Sequence, residues 1–221
     1  MTERRQAGTD IPGLRLYPGA LDRNGAESLL ADIVGVIREA PLYRPVMPRS
    51  GRPFSVRMTN CGKLGWLSDR NGYRYGERHP ETNRPWPPMP GSVLALWREF
   101  AGYPHEPEAC LVNYYGPDAK MGLHRDEDEA DFSAPIVSIS LGDTARFRIG
   151  GPERGGPTRS FPLASGDVLV LGGPSRLYYH GIDRLMAGSS TLLAPYGYVF
   201  ADGGRVNLTL RRVTAPGDGK T

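Results

Sequence analysis

His124 and Asp126 stand two residues apart in Leu123-His124-Arg125-Asp126, and His180 follows more than fifty residues later in Tyr179-His180-Gly181. Two imidazoles and one carboxylate are the ligand set of a facial triad, which holds one face of a non-haem Fe(II) and leaves the other open to O2 and a co-substrate. A His-x-Asp step arises readily by chance, so the weight falls on its surroundings.

The strongest of these is Arg205-Val206-Asn207-Leu208-Thr209-Leu210-Arg211. Its apolar and polar residues alternate with the period of a half-buried strand, which puts both arginines, Asn207 and Thr209 on one face. That face is either a wet outer surface or the wall of a site. In Ala109-Cys110-Leu111-Val112-Asn113-Tyr114-Tyr115, Asn113 and Tyr115 likewise share a face just before the His-x-Asp. A dicarboxylic co-substrate needs a planar cation for its distal carboxylate, and arginine can bind one bidentately. Metal, co-substrate and oxygen together point to oxidation of a C–H bond.

These segments, with Ala134-Pro135-Ile136-Val137-Ser138, Ser175-Arg176-Leu177-Tyr178-Tyr179-His180-Gly181 and Met58-Thr59-Asn60-Cys61-Gly62-Lys63-Leu64-Gly65-Trp66, resemble the AlkB-type dioxygenases of the bacterial DNA-repair branch, in order from about residue 14 to 212. Such enzymes use Fe(II), 2-oxoglutarate and O2 to reverse alkylation damage on nucleobases. The resemblance implies His124, Asp126 and His180 as iron ligands, Arg205 with Asn113 and Tyr115 at the distal carboxylate of 2-oxoglutarate, and Asn207 and Arg211 at its metal-side end, Arg211 also counting among the catalytic residues. It implies Met58, Trp66, Tyr73, Asp128 and Arg154 around a flipped base, with the Asp128 carboxylate accepting from an exocyclic amine. Tyr75, Arg74 and Lys63 become candidate backbone contacts. Glu127, where well-studied relatives carry lysine, Leu171 in place of a tryptophan, and a longer Gly188–Gly204 stretch, expected as an extended hairpin, bear on the range of lesions rather than on the reaction. The implied partner is alkylated DNA, single-stranded by preference, with RNA as a second candidate, and the implied state is a monomer. The alternative is a related hydroxylase of a protein or small molecule.

Composition sets limits. The 221 residues suffice for one domain with a single large core. Two cysteines, Cys61 and Cys110, fit a reducing compartment and are expected as plain buried residues. No apolar run could span a membrane, and no signal-type apolar stretch follows the N-terminus, so a cytoplasmic enzyme is expected. Between Pro41 and Pro90, nine Lys/Arg face three acids; with a net charge of +3, the rest of the chain carries −3. A basic segment rich in Trp, Tyr, Pro and Gly suits contact with nucleic acid, cations meeting phosphate and flat rings meeting bases.

The elements that must position these residues follow from pattern. Leu29, Leu30, Ile33, Val34 and Ile37 predict a helix over 25–39, and Val93, Leu96, Trp97 and Phe100 a second beginning at Ser92. Strands are expected at 109–115, 135–141, 145–149, 160–163, 167–171, 177–180, 192–199 and 205–212. The predicted fold is a β-rich α+β domain spanning 1–221. It consists of an N-terminal segment and helix (1–40), a nucleotide-recognition lid (41–90) and a double-stranded β-helix, or jelly roll, core (105–213) with two packing helices.

Overall fold

Val206, Leu208 and Leu210 are fully buried, yet so are Arg205 and Arg211 on the opposite face of the same strand. That strand is therefore an inner layer, covered on both sides. In the computed structural model, which describes residues 6–217, the order is β1 (Leu14–Tyr17), α1 (Arg23–Glu39), β2 (Arg57–Gly62), β3 (Gly65–Asp69), β4 (Gly72–Gly76), α2 (Gly91–Phe100), β5 (Ala109–Tyr115), β6 (Met121–His124), β7 (Ile136–Gly142), β8 (Thr144–Ile149), β9 (Arg159–Leu163), β10 (Val168–Leu171), β11 (His180–Met186) and β12 (Arg205–Arg211). The first five and last four residues of the expected domain lie outside the described residues.

Three antiparallel sheets form: β1-β10-β7-β12-β5-β2, β6-β11-β8-β9, and the hairpin β3-β4. The six-stranded sheet turns Val137, Ile139, Val168, Val170, Val112, Val206, Leu208 and Leu210 toward α1 and α2, where Leu29, Leu30, Ile33, Val93 and Trp97 complete one core. Its other face gives Met58, Leu111, Tyr115, Ile136 and Leu169 to a second core shared with Ala145, Phe147, Ile149, Leu163 and Ile182 of the four-stranded sheet. Helices, large sheet and small sheet make three layers, and the facing pair of sheets is a jelly roll. Each buried Leu, Ile or Val contributes about 1.5–3 kcal/mol relative to exposure, an upper estimate.

Both helices form where their apolar spacing predicts. Asp22 caps α1 by accepting from the Gly25 N–H at 2.7 Å, and Pro41 follows directly after Ala40, whose N–H closes the last turn on Val36. Cys61 and Cys110 are fully buried and lie opposite each other across β2 and β5.

Two strand expectations fail. Residues 173–177 form a 3-10 turn with Pro174 near its start, and the strand expected at 177–180 instead begins at His180 and runs on to Met186. No strand forms at 192–199, and 188–204 is no hairpin. Pro195 and Gly197 break any ladder, a 3-10 turn occupies Ala194–Tyr196, and Leu192, Leu193 and Phe200 pin the segment into the helix-side core. Within 41–90, β2 is the edge of the large sheet, while β3–β4 project from it over a small core of Ala40, Tyr43, Leu67 and Trp86.

Candidate functional site

His180 on β11 faces His124 on β6 directly across the ladder, and their rings lie 4.6 Å apart. This close pairing depends on Gly181. A Cβ there would sit 2.5 Å from the Met121 carbonyl oxygen and 2.8 Å from that of Gly122, inside any real contact. Asp126 leaves the end of β6 two residues on. One ligand atom from each of His124, Asp126 and His180 lies within 4.8 Å of the others, a group able to hold a metal ion.

The hydrogen bonds assign the imidazole tautomers. Nδ1 of His124 lies 2.9 Å from the Gly122 carbonyl oxygen and Nδ1 of His180 lies 3.0 Å from that of Tyr178. A carbonyl can only accept, so Nδ1 carries the proton and Nε2 offers its lone pair to the centre of the cluster. The two Nε2 atoms are 3.8 and 3.9 Å from the Asp126 carboxylate oxygens. Burial pushes His180 down to about 4, with the neighbouring His124 acting the same way. Burial would raise Asp126, but Arg211, His180 and His124 outweigh it and hold the carboxyl well below its usual range. The set is thus two imidazoles presenting Nε2 and one carboxylate, the donor chemistry that suits Fe(II).

A pH dependence follows for the chelator-stripped protein. His180 is neutral when folded and has its ordinary value near 6.5 when unfolded, so the unfolded chain binds the extra proton between 6.5 and about 4. This His180 contribution is fully present above pH 6.5, falls by up to about 3 kcal/mol as the pH drops to 4, and changes no further below. Urea titrations at pH 7.5 and 4.5 should show His180→Gln losing about 2–3 kcal/mol less than wild type over that interval. Equal losses would sink the assignment.

One cavity of ≈ 370 Å³ joins the triad to the residues predicted around the co-substrate and the base. Asn113, Tyr115, Arg205, Asn207 and Arg211 line it from the large sheet, and Met58, Trp66, Tyr73, Asp128 and Arg154 line it from the lid side and the loops. Arg205 is fully buried, and its hydrogen bonds all go to uncharged oxygens: Ser140 Oγ at 2.7 Å, Leu163 O at 3.1 Å and Asp143 O at 3.4 Å. Its Nε has no partner, and burial lowers the guanidinium to about 10 even though Tyr115 and Asp167 act to raise it. Asn113 Oδ1 and Arg211 Nε are likewise buried without a hydrogen bond. A buried cation served only by neutral acceptors is costly unless an anion joins it, and the carboxylate of a diacid supplies one. Asn207 donates to Ser138 Oγ at 2.8 Å and to Ile139 O at 3.0 Å, and it accepts from Thr209 at 3.1 Å.

Trp66 and Tyr73, on adjacent lid strands, stack with ring centres 5.4 Å apart, forming a flat aromatic wall with Tyr73 half exposed. The Trp66 indole donates to Asp128 Oδ2 at 2.8 Å, tying the β3–β4 hairpin to the loop that follows Asp126. Burial raises the Asp128 carboxyl. Two candidate backbone contacts are otherwise engaged: Arg74 is held by Asp69 at 2.9 and 2.6 Å, and the Tyr75 phenol is turned inward onto Glu129. Glu127 pairs with its neighbour Arg125. Ser138 and Ser140, the partners of Asn207 and Arg205, escaped sequence reasoning, although their period-2 spacing in Ser138-Ile139-Ser140 puts them on the site face. The Glu129–Arg176 pair at 3.0 Å escaped it too, because neither residue shows a local pattern.

Comparison with known proteins agrees with this geometry. The 2OG-Fe(II) oxygenase superfamily model matches residues 13–211. An alpha-ketoglutarate-dependent dioxygenase AlkB homolog of Caulobacter vibrioides (strain NA1000 / CB15N) is 51% identical over 206 residues, 92% of this chain and 89% of that protein. The alpha-ketoglutarate-dependent dioxygenase AlkB of Escherichia coli (strain K12) is 47% identical over 193 residues, covering 86% and 85%. The solved structure of OsALKBH1 superposes with a TM-score of 0.76 at 29% identity, over 94% of this chain and 100% of that one. The chain belongs to the AlkB family of Fe(II)- and 2-oxoglutarate-dependent dioxygenases.

Proposed function

We propose that this enzyme removes N-alkyl groups, such as those of 1-methyladenine and 3-methylcytosine, from nucleobases in DNA. The observation that carries the proposal is the continuity of one cavity, from the buried Arg205 past the triad to the Trp66–Tyr73 wall. His124, Asp126 and His180 hold the iron, Arg205 with Asn113 and Tyr115 takes the distal carboxylate of 2-oxoglutarate, and Arg211 and Asn207 flank its other end. Iron with 2-oxoglutarate and O2, when bound, supplies the oxidising power that hydroxylates an N-methyl carbon, which then leaves as formaldehyde while succinate and CO2 form. The chain's own task is positioning. Stacking on the lid aromatics offers about 1–3 kcal/mol per base, comparable with the few kcal/mol of extruding it, and an alkylated base that cannot pair costs least to extrude. Asp128 accepts the Trp66 indole through Oδ2 and keeps its other oxygen for an exocyclic amine, which favours cationic lesions. Arg154 stands at the cavity rim, and the basic surplus of 41–90 attracts phosphate. Among the described residues no helix is long and apolar enough to cross a membrane. The same reading makes the enzyme a cytoplasmic monomer, with single-stranded DNA preferred and RNA as a second substrate.

The expected result is formaldehyde release from a single-stranded oligonucleotide bearing 1-methyladenine or 3-methylcytosine, dependent on both Fe(II) and 2-oxoglutarate. Succinate formed without formaldehyde from either lesion would move the substrate to a protein or small molecule and overturn the repair reading.

A further inference from the structure

Two carboxylates and two guanidiniums are enclosed together at the triad: its own Asp126 with Glu129, Arg176 and Arg211, each less than a tenth exposed. The reaction outlined above uses Asp126 and Arg211 and leaves the other two unexplained. Arg176, from the 3-10 turn Gly173–Leu177, donates Nη1 to the Asp126 carbonyl oxygen at 2.8 Å, Nη2 to Glu129 Oε2 at 3.0 Å and Nε to the Ala134 carbonyl oxygen at 2.9 Å. Those acceptors are the beginning, middle and end of the loop over residues 125–135, which contains no strand or helix of its own. The loop is also tied at its outer bend by the Ala130 N–H on Val213 O and by Tyr103 on Asp131, at Asp128 by the Trp66 indole, and at the Asp126 side chain by Arg211. Arg176 is the inner residue that binds the backbone at both ends of the segment delivering the Asp126 carboxylate to the two histidines.

Glu129 extends the same network outward. Its Oε1 accepts the Tyr75 phenol and stands 3.5 Å from Arg211 Nε, while the Tyr75 oxygen accepts from Arg211 Nη1 at 3.3 Å. Tyr75 lies on β4 directly opposite Trp66 on β3. A continuous path of hydrogen bonds therefore runs from the backbone of the metal-ligand residue through Arg176, Glu129 and Tyr75 into the lid hairpin. A buried ion pair is weak evidence of stabilisation, since apolar replacements often hold a fold equally well. Its three-pronged aim at one loop is better explained by geometry that must be kept.

We propose that Arg176 and Glu129 are positioning residues that fix the Asp126 ligand, and that Tyr75 transmits the position of that ligand loop to the substrate lid. The proposal rests on the ligand assignment above. Co(II) alone, titrated into the full chain, reads it by absorption without any turnover. Arg176→Lys keeps the charge but cannot span three acceptors. It should bind Co(II) about 10–100-fold more weakly and with an altered ligand-field band, as expected when outer partners of a ligand are lost, while circular dichroism still shows a folded protein. If Arg176→Lys does not fold, Glu129→Gln is read by the same criterion. A folded variant with wild-type Co(II) affinity and spectrum overturns the positioning role. Absence of Co(II) binding by the wild type overturns the ligand assignment and the proposal with it, which separates the two failures. For the lid, Co(II) should slow hydrogen exchange at the β3–β4 amides of the wild type but not of Tyr75→Phe. Equal slowing in both, or none in the wild type, overturns the transmission.

Discussion

Arg205→Met folds but gains at most about 1 kcal/mol of stability from 2-oxoglutarate added to the Mn(II)-loaded protein at a concentration about a hundred times the wild-type Kd. In the wild type, co-substrate at a hundred times its Kd adds about 2.7 kcal/mol of stability, because only the folded state binds it. Truncating one partner of a buried, hydrogen-bonded charge pair costs about 2–5 kcal/mol, so affinity should fall by roughly 30-fold to several thousand-fold. Stability without co-substrate changes far less. The substitution loses hydrogen bonds to Ser140, Leu163 and Asp143, but it also removes a fully buried charge to which no carboxylate is hydrogen-bonded, and the two effects oppose. Arg205→Lys retains a charge without the planar fork and should fall between the two. Calorimetric titration of 2-oxoglutarate into each Mn(II)-loaded protein measures this. Binding by Arg205→Met within threefold of wild type would show that the diacid is held elsewhere.

The other large effect belongs to Asp126→Ala, which removes a proposed metal ligand and the partner of a buried arginine in one step. Arg211 Nη2 stands 2.9 Å from Asp126 Oδ2, and both side chains are almost wholly buried. Leaving one member of such a pair behind typically costs about 3–5 kcal/mol. Glu129, 3.5 Å from Arg211 Nε, remains as a second anion, so a loss near the low end, about 3 kcal/mol, is expected in chelator-treated protein. Addition of Mn(II) should recover none of it. His124→Ala offers the contrast. Its side chain is 41% exposed, so its removal should stop turnover with a loss of stability of about 1 kcal/mol or less. Urea denaturation with and without Mn(II) distinguishes the variants. An Asp126→Ala protein as stable as wild type would show that Glu129 alone satisfies Arg211.

Legibility followed the range of the interaction. The triad, the polar face of β12 and the two helices were readable because each writes a short period or motif into contiguous residues. Even there, alternation in 205–211 could not say whether the polar face was wet; only the second sheet, arriving from β6, β8, β9 and β11, makes it an interior wall. The strand expected at 192–199 failed because Leu192, Leu193, Tyr196, Tyr198 and Val199 favour strands locally, while Pro195 and Gly197 deny them a ladder. The Arg176–Glu129–Tyr75 path joins residues 47 and 54 positions apart, and no local pattern encodes such a meeting. The lid strands β3 and β4 were hidden by glycine, arginine and asparagine, residues that strand propensity disfavours but a two-residue turn accepts.

The metal ligands come from the small sheet or its loop, and Arg205 comes from the large one. On the proposed assignment, a single co-substrate must bridge the two layers, whose separation is set by the interdigitation of Ile136, Leu169, Phe147 and Ile182 between them. On that assignment the sandwich would act as a calliper for carbon-chain length. A diacid one carbon shorter would reach either the metal or the guanidinium, but not both at once, so ordinary apolar packing becomes a selector among metabolites that differ by one methylene.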